Sequence, residues 1–206
     1  MVKKSLFIIF VGYFVSIVLS GCGNRETYEV WWTDFDIGVF DYLGDNPNFF
    51  IEPDYIIKKE SFLVFRIFPK DDMKRIAQLS NSSLITNCMA LTKAIDYKRI
   101  HTPISISVKT IYDYSESFPS GSDITVLFKG LKTFDRLMNK IEYYSIDEII
   151  SQLEILMKGV DGADNSFNLC LVDDSSCSGG KQKFEFTFLM SDGVILVNQT
   201  DELIFE

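Results

Sequence analysis

Phe184, Phe186, Phe188 and Met190 stand at every second position with Glu185 and Thr187 between them, and Asp192-Gly193 then leads into the apolar run Val194 to Val197. A period of two followed by an Asp-Gly turn predicts a β-hairpin. Ile104, Ile106 and Val108 alternate with Ser105, Ser107 and Lys109, the pattern of a half-buried strand. From Phe62 to Phe68 only Arg66 is polar, as in a strand covered on both faces. Leu203 to Phe205 adds a last edge strand. The spacing changes at Ile146, Ile149, Ile150, Leu153, Leu156 and Met157, which share one side of a helix. Ser145 and Glu148 fit a capping box at its start, and Gly159 stops it. Phe134, Leu137, Met138 and Ile141 repeat that spacing, although Tyr143-Tyr144 leaves a strand open, and a short helix is expected at Asp71 to Leu79. The aromatic and acidic stretch from Glu29 to Tyr55, interrupted by Pro47 and Pro53, predicts strand pieces and loops. The fold class that follows is mainly β (α+β): an antiparallel sheet or two-sheet sandwich with one or two packed helices.

A different pattern occupies the N-terminus. Lys3 and Lys4 precede an apolar run from Leu6 to Leu19, which closes on Leu19-Ser20-Gly21-Cys22 and polar residues. Basic pair, apolar core and small residues at the cut site make a secretory signal. A spanning helix is the rival, and it needs about twenty apolar residues. The ending resembles the lipobox of bacterial lipoproteins. The resemblance implies cleavage before Cys22, lipidation of its sulfur, and attachment to the membrane through that anchor. The expected organisation is a signal peptide at 1–21, a lipidated tether at 22–28 and a single β-rich domain at 29–206. Gly23 after the cysteine, in place of Asp, favours the outer membrane within the cell envelope, with the periplasmic or surface face left open. Each buried lipid methylene contributes about 0.8 kcal/mol, so two or three acyl chains hold firmly where one holds marginally.

Removing the signal also changes the charge. The chain has 20 basic and 29 acidic residues, and without Lys3 and Lys4 it carries about −11. Such a balance argues against binding of nucleic acid or anionic headgroups through bulk electrostatics. About 185 residues remain, enough for one domain with a substantial core. Besides Cys22 there are Cys88, Cys170 and Cys177. In an oxidising compartment a disulfide is expected, and Cys170 with Cys177 is the favoured pair, with three reduced thiols as the alternative. Cys170 interrupts the alternating Phe167, Leu169 and Leu171, so its side chain is expected on the opposite face.

No catalytic constellation stands out. The single histidine, His101, sits at a loop-to-strand boundary without a nucleophile signature beside it. Ser178-Gly179-Gly180-Lys181 matches Ser-x-x-Lys in letters, but two glycines do not build the helix that brings lysine to serine. Asp161 to Asn165 and the Asp34 to Asp45 group offer oxygen ligands without calcium-loop spacing, and turn chemistry explains them equally well. No metal or cofactor is assigned. Trp31 and Trp32 fall on opposite faces of a strand, so one is a candidate ligand contact of the kind sugars or proteins make.

The order Cys88, Ile104-Ser105-Ile106-Ser107-Val108, Asp113-Tyr114, Phe118-Pro119-Ser120-Gly121-Ser122-Asp123 and Ser191-Asp192-Gly193 resembles small lipoprotein families of Bacteroidota over roughly residues 85–206. That resemblance implies a strand-rich envelope domain and no known activity. The favoured function is a lipid-anchored binding or structural module with a protein or glycan partner. A carbohydrate-active or other hydrolytic lipoprotein, and an adhesion or assembly subunit working by strand exchange, are the alternatives.

Overall fold

The computed structural model describes residues 25–43, 50–52, 55–58, 61–79, 94–135, 140–156, 166–173 and 177–206. The strands are β1 (Arg25–Asp41), β2 (Ile56–Ile57), β3 (Leu63–Leu79), β4 (Ala94–Arg99), β5 (Pro103–Thr110), β6 (Phe128–Asp135) and β7 (Lys140–Tyr144). Then come the helix α1 (Ile146–Leu156) and strands β8 (Phe167–Leu171), β9 (Gly180–Gln182), β10 (Phe184–Met190), β11 (Ile195–Gln199) and β12 (Leu203–Phe205). The fold is mainly β with one helix among the described residues. Contacts group the chain into two compact units, one of Met1–Val30 with Met73–Lys98 and one of Trp31–Asp72 with Arg99–Glu206, where the sequence drew one domain over 29–206.

In the larger unit β1, β3, β8, β6 and β7 lie side by side in that order, and β10 lies between β11 and β5 in a second sheet. The pairings of β8 with β3 and β6, and of β10 with both neighbours, are antiparallel. The alternation at Phe184 to Met190 places Phe184, Phe186, Phe188 and Met190 on the inner face, all at most 1% exposed. Opposite them lie Phe65 of β3 and Phe128 of β6, whose rings meet Phe186 at 5.5 and 5.6 Å between centroids and each other at 5.3 Å. Such tilted and edge-to-face contacts add about 0.5–1.5 kcal/mol per pair to area burial.

The central sheet is covered on its other face too. Leu63, Phe65 and Ile67 enter the main core, while Phe62 and Val64 join Phe40 and Cys170 in a second apolar cluster. Arg66 belongs to that second face. Its guanidinium lies 4.9 Å from the centroid of Phe40 and donates to Asn168 Oδ1 and Tyr42 Oη. The one polar residue of the Phe62 to Phe68 run thus roofs an aromatic surface with its planar charge. The face expected for Cys170 is correct, and that face is itself apolar.

Helix α1 begins as its sequence predicts. Ser145 N–H donates to Glu148 Oε2 at 2.7 Å, and Glu148 N–H donates to Ser145 Oγ at 3.2 Å, the reciprocal capping box. Its buried Ile149 and Leu153 face the core. Gly130 of β6 makes room for this, since a Cβ there would stand 2.0 Å from Ile149 Cδ1. The expected stop at Gly159 lies outside the described residues.

Several expectations are corrected. Phe134 and Ile141 lie on the antiparallel strands β6 and β7 and not on a helix, opposite each other in the register, while Leu137 and Met138 lie outside the described residues. Two apolar residues seven apart match two helical turns and also a cross-strand pair, and the β-formers Thr133, Tyr143 and Tyr144 decide for strand. Asp71 to Leu79 continues β3 and is not helical. Pro69 falls just past Ile67, the last residue of β3 paired with β8, where a missing N–H is tolerated. Glu29 to Asp41 is one uninterrupted strand. Its core positions change from even at Trp32 to odd at Phe35, Ile37 and Val39, which hides the strand from a search for strict alternation. Residues 25–28, expected as tether, belong to the same strand. Ile104 is 54% exposed, because an irregularity between Leu189 and Met190 sets Pro103 opposite Met190 and turns Ile104 outward. Leu203 to Phe205 is central in a small sheet, antiparallel to β9 and parallel to β2, and is not an edge.

Substituting Gly130→Ala is expected to destabilise the protein by about 1–3 kcal/mol through overpacking against α1. Thermal denaturation followed by circular dichroism measures this. The cost should fall in an Ile149→Ala background, where the opposing methyl is gone, and an equal cost in both backgrounds contradicts the seat.

Candidate functional site

The acidic and aromatic stretch of β1 was the sequence's candidate region, and its side chains divide between core and surface. Trp32 is 3% exposed, with its ring 5.6 Å from Phe188 and 6.2 Å from Phe167. It is a core residue, the buried member of a pair that the sequence reads as split between two faces. Its Nε1 is buried without a hydrogen-bond partner. The guanidinium of Arg99 lies 6.0 Å from its ring and makes two bonds, of 2.8 and 2.9 Å, to the carboxylate of Asp71. Trp31 is half-buried.

Among the described carboxylates of this region, Asp34 and Asp36 share one cation and Asp41 is held separately. Asp34 and Asp36 both reach Lys70 Nζ, at 3.2 and 2.6 Å, on the exposed surface. The bonds to Asp36 and Asp34 raise the Lys70 pKa. Asp41 behaves differently. It is 5% exposed, and its Oδ1 accepts from the N–H groups of Leu43 and Phe62 at 3.0 and 3.1 Å. Its Oδ2 accepts from Tyr55 Oη at 2.8 Å and Ser61 Oγ at 2.7 Å. Burial alone would raise its pKa, but the four donors outweigh burial and hold it below the ordinary carboxylate value. Asp41 is therefore a buried anion that ties the end of β1 to residues 55 and 61–62. Asp45, and the Asp161 to Asn165 group, lie outside the described residues.

Beside this knot, Asp36, Ile37, Gly38, Phe50 and Phe68 line an open hollow of about 410 Å³. Phe50 lies directly on Gly38, where a Cβ would stand 2.0 Å from its ring, and Phe68 comes within 3.0 Å of the same position. The Phe50 ring also lies tilted against Phe40, 4.7 Å between centroids, yet stays 58% exposed. The bond from Ile51 N–H to the Val39 carbonyl holds this segment along β1. The hollow offers aromatic and aliphatic contact, with its one carboxylate already bonded to Lys70. The sequence weighting fell on the tryptophans and missed this place. Its signal is a glycine inside an aromatic strand, which marks close approach of another group to the backbone.

The other sequence candidates are separate from it and from one another. His101 Nε2 is 3.7 Å from Asp192 Oδ2, both half-exposed, and Ser191 N–H donates to the Thr102 carbonyl. This joins the β10–β11 turn to the start of β5, with no nucleophile in the pair. Ser178 donates through N–H and Oγ to the Tyr114 carbonyl, whereas Lys181 Nζ bonds Glu202 at 2.7 Å. The Ser-x-x-Lys letters therefore do not make a pair. Cys170 is a free, fully buried thiol, and burial pushes its pKa well above the ordinary value. The expected Cys170–Cys177 disulfide is not formed. Cys170 packs in the second apolar cluster, whereas Cys177 packs against the main core.

The segment from Asp113 to Asp123 is a self-closed loop. Asp113 Oδ1 accepts from Ser120 N–H at 2.7 Å, Gly121 takes φ +82°, and Tyr114 is driven into the core beside Phe184. Thr125 N–H donates to Asp123 Oδ1, and Thr125 Oγ1 in turn accepts from Val108 N–H. Its polar residues thus close the turn on itself. Among the described residues no three His, Cys, Asp or Glu side chains are grouped to hold a metal ion. No family model, no curated protein and no solved structure matches the chain.

Because the folded-state pKa of Asp41 is depressed, its contribution is present above the unfolded value of about 4 and is lost as pH falls through the folded value. Replacing Asp41→Asn is expected to cost about 1–3 kcal/mol at pH 7, since a carboxamide cannot accept from all four donors. Urea denaturation at pH 7 and pH 3 checks it: the gap between the two proteins should narrow at the lower pH. A gap independent of pH contradicts the buried-anion role.

Proposed function

We propose that the chain is a lipid-anchored protein of the bacterial cell envelope, acylated at Cys22, whose domain is a binding or structural module. The observation that carries this is the N-terminal series Lys3-Lys4, Leu6 to Leu19 and Leu19-Ser20-Gly21-Cys22, which resembles a lipoprotein signal. Those residues lie outside the described part of the structure. Support for a non-catalytic module comes from how the polar groups of the domain are used. Asp41 is taken up by four donors, Asp34 and Asp36 by Lys70, Asp71 by Arg99, and Glu202 by Lys181 and Tyr112. The open hollow at Gly38 and Phe50 is the surface best suited to a protein or glycan contact, because exposed aromatic rings provide large rigid area. The outer membrane is the favoured site, on the strength of Gly23 after the cysteine.

Hydrolysis and strand exchange gain less support. Among the described residues of the aromatic stretch, Asp34 and Asp36 share Lys70 and Asp41 is enclosed by its own donors, and strand β12 is paired on both sides.

The N-terminal mass of the protein recovered from membranes is expected to correspond to a chain beginning at acylated Cys22. Globomycin or Cys22→Ser should abolish that mass and leave the signal attached. A mature N-terminus elsewhere, without lipid, contradicts the anchor.

A further inference from the structure

We infer that the smaller unit is a membrane-contact surface that docks on anionic lipid, through exposed tyrosine, methionine, isoleucine and basic side chains of β3 and β4. This deepens the anchor proposal and rests on it for the position of Cys22. Two residues separate Cys22 from Arg25, where β1 begins, and the three steps between them span at most about 10 Å. A lipid in the bilayer on Cys22 therefore brings the start of β1 to the headgroups.

What stands at that height is unlike the rest of the molecule. Segments 22–30 and 73–98 carry the basic Arg25, Lys74, Arg75, Lys93 and Lys98 against the acidic Glu26, Glu29 and Asp96, so the chain's excess of acid lies wholly in the other unit. Among the described side chains Met73, Ile76 and Tyr97 are 53%, 46% and 50% exposed, and Lys74, Arg75 and Lys98 are exposed with them. The Tyr97 ring lies 6.0 Å from Tyr28, whose hydroxyl donates to the buried carboxylate of Glu26 at 2.9 Å. Arg75 reaches the same carboxylate at 3.5 Å. Glu26 is thus turned inward and Glu29 and Asp96 are half-buried, while lysines and apolar groups face out.

Tyrosine at headgroup depth, aliphatic side chains below it and long basic side chains reaching phosphate is the composition of a membrane interface. A soluble partner of the acidic larger unit's kind would find the same lysines, but the distance to Cys22 puts lipid there first.

The test uses the full chain purified from membranes and reconstituted into two vesicle types, phosphatidylethanolamine with phosphatidylglycerol at 3:1, and phosphatidylcholine alone. Hydrogen exchange is followed by mass spectrometry. Amides of 73–76 and 96–98 are expected to exchange about fivefold more slowly on the anionic vesicles, the effect of one basic residue at an anionic surface. Lys74→Gln with Lys98→Gln should erase the difference; Arg75 is kept because Glu26 depends on it. Ile76→Ser with Met73→Ser should reduce protection on both vesicle types. Equal exchange on the two lipids, or a difference that survives the lysine variants, overturns the inference. The N-terminal mass of the same sample decides the anchor separately. An acylated chain without lipid-dependent protection overturns the docking surface alone, and protection in an unacylated chain sustains it while removing the anchor.

Discussion

The structure depends on the contact of aromatic rings between two sheets. Phe65 and Phe128 on one sheet meet Phe184 and Phe186 on the other, with centroids 5.5 to 6.0 Å apart. Burying one such side chain contributes about 1.5–3 kcal/mol, and the tilted ring geometry fixes how the sheets face each other. Other features follow from the need to keep these rings in register. Trp32 and Phe167 extend the cluster toward Phe188, and Tyr114 extends it toward Phe184. The loop from Asp113 to Asp123 closes on itself to hold that tyrosine in place.

The second constraint is that the central sheet has no solvent-facing side over Phe62 to Val64. Phe40, Phe62, Val64 and Cys170 need a cover, and rings and Arg66 supply it. Asp41 anchors the chain that passes there, so a buried charge stabilises a surface made of aromatic residues. Gly38 and Gly130 act alike on two strands: each removes a side chain so that a group from another segment, Phe50 or Ile149, can lie on the backbone. At Gly130 this seats the helix, and at Gly38 it leaves the exposed hollow.

Local chemistry was legible in the sequence where one residue pattern has one structural solution. The Phe184 alternation with Asp192-Gly193 gave its hairpin, with Gly193 at φ +86°, and Ser145 with Glu148 gave the helix start. Legibility failed where two solutions share a pattern. Phe134 and Ile141 suit a helix or a hairpin, and the Asp71 to Leu79 segment has an amphipathic spacing that its continuation from a buried strand overrides. The phase change in β1 erased the period of the longest acidic strand. Asp41 could not be distinguished from Asp34 or Asp36, because its four donors come from residues 43 to 62 and only the fold gathers them. The Trp31–Trp32 pair was read as split between core and surface, and Trp32 is the core member.

Function divides in the same way. The proposed address rests on a short linear pattern and needs no fold, whereas any work of the domain depends on surfaces that folding assembles from distant segments. A double-mutant cycle on Phe65→Leu and Phe186→Leu tests the aromatic interlock most directly. Stabilities from urea denaturation should be non-additive by about 0.5–1.5 kcal/mol. Additivity within about 0.3 kcal/mol contradicts the claim that ring contact across the sheets holds this fold together.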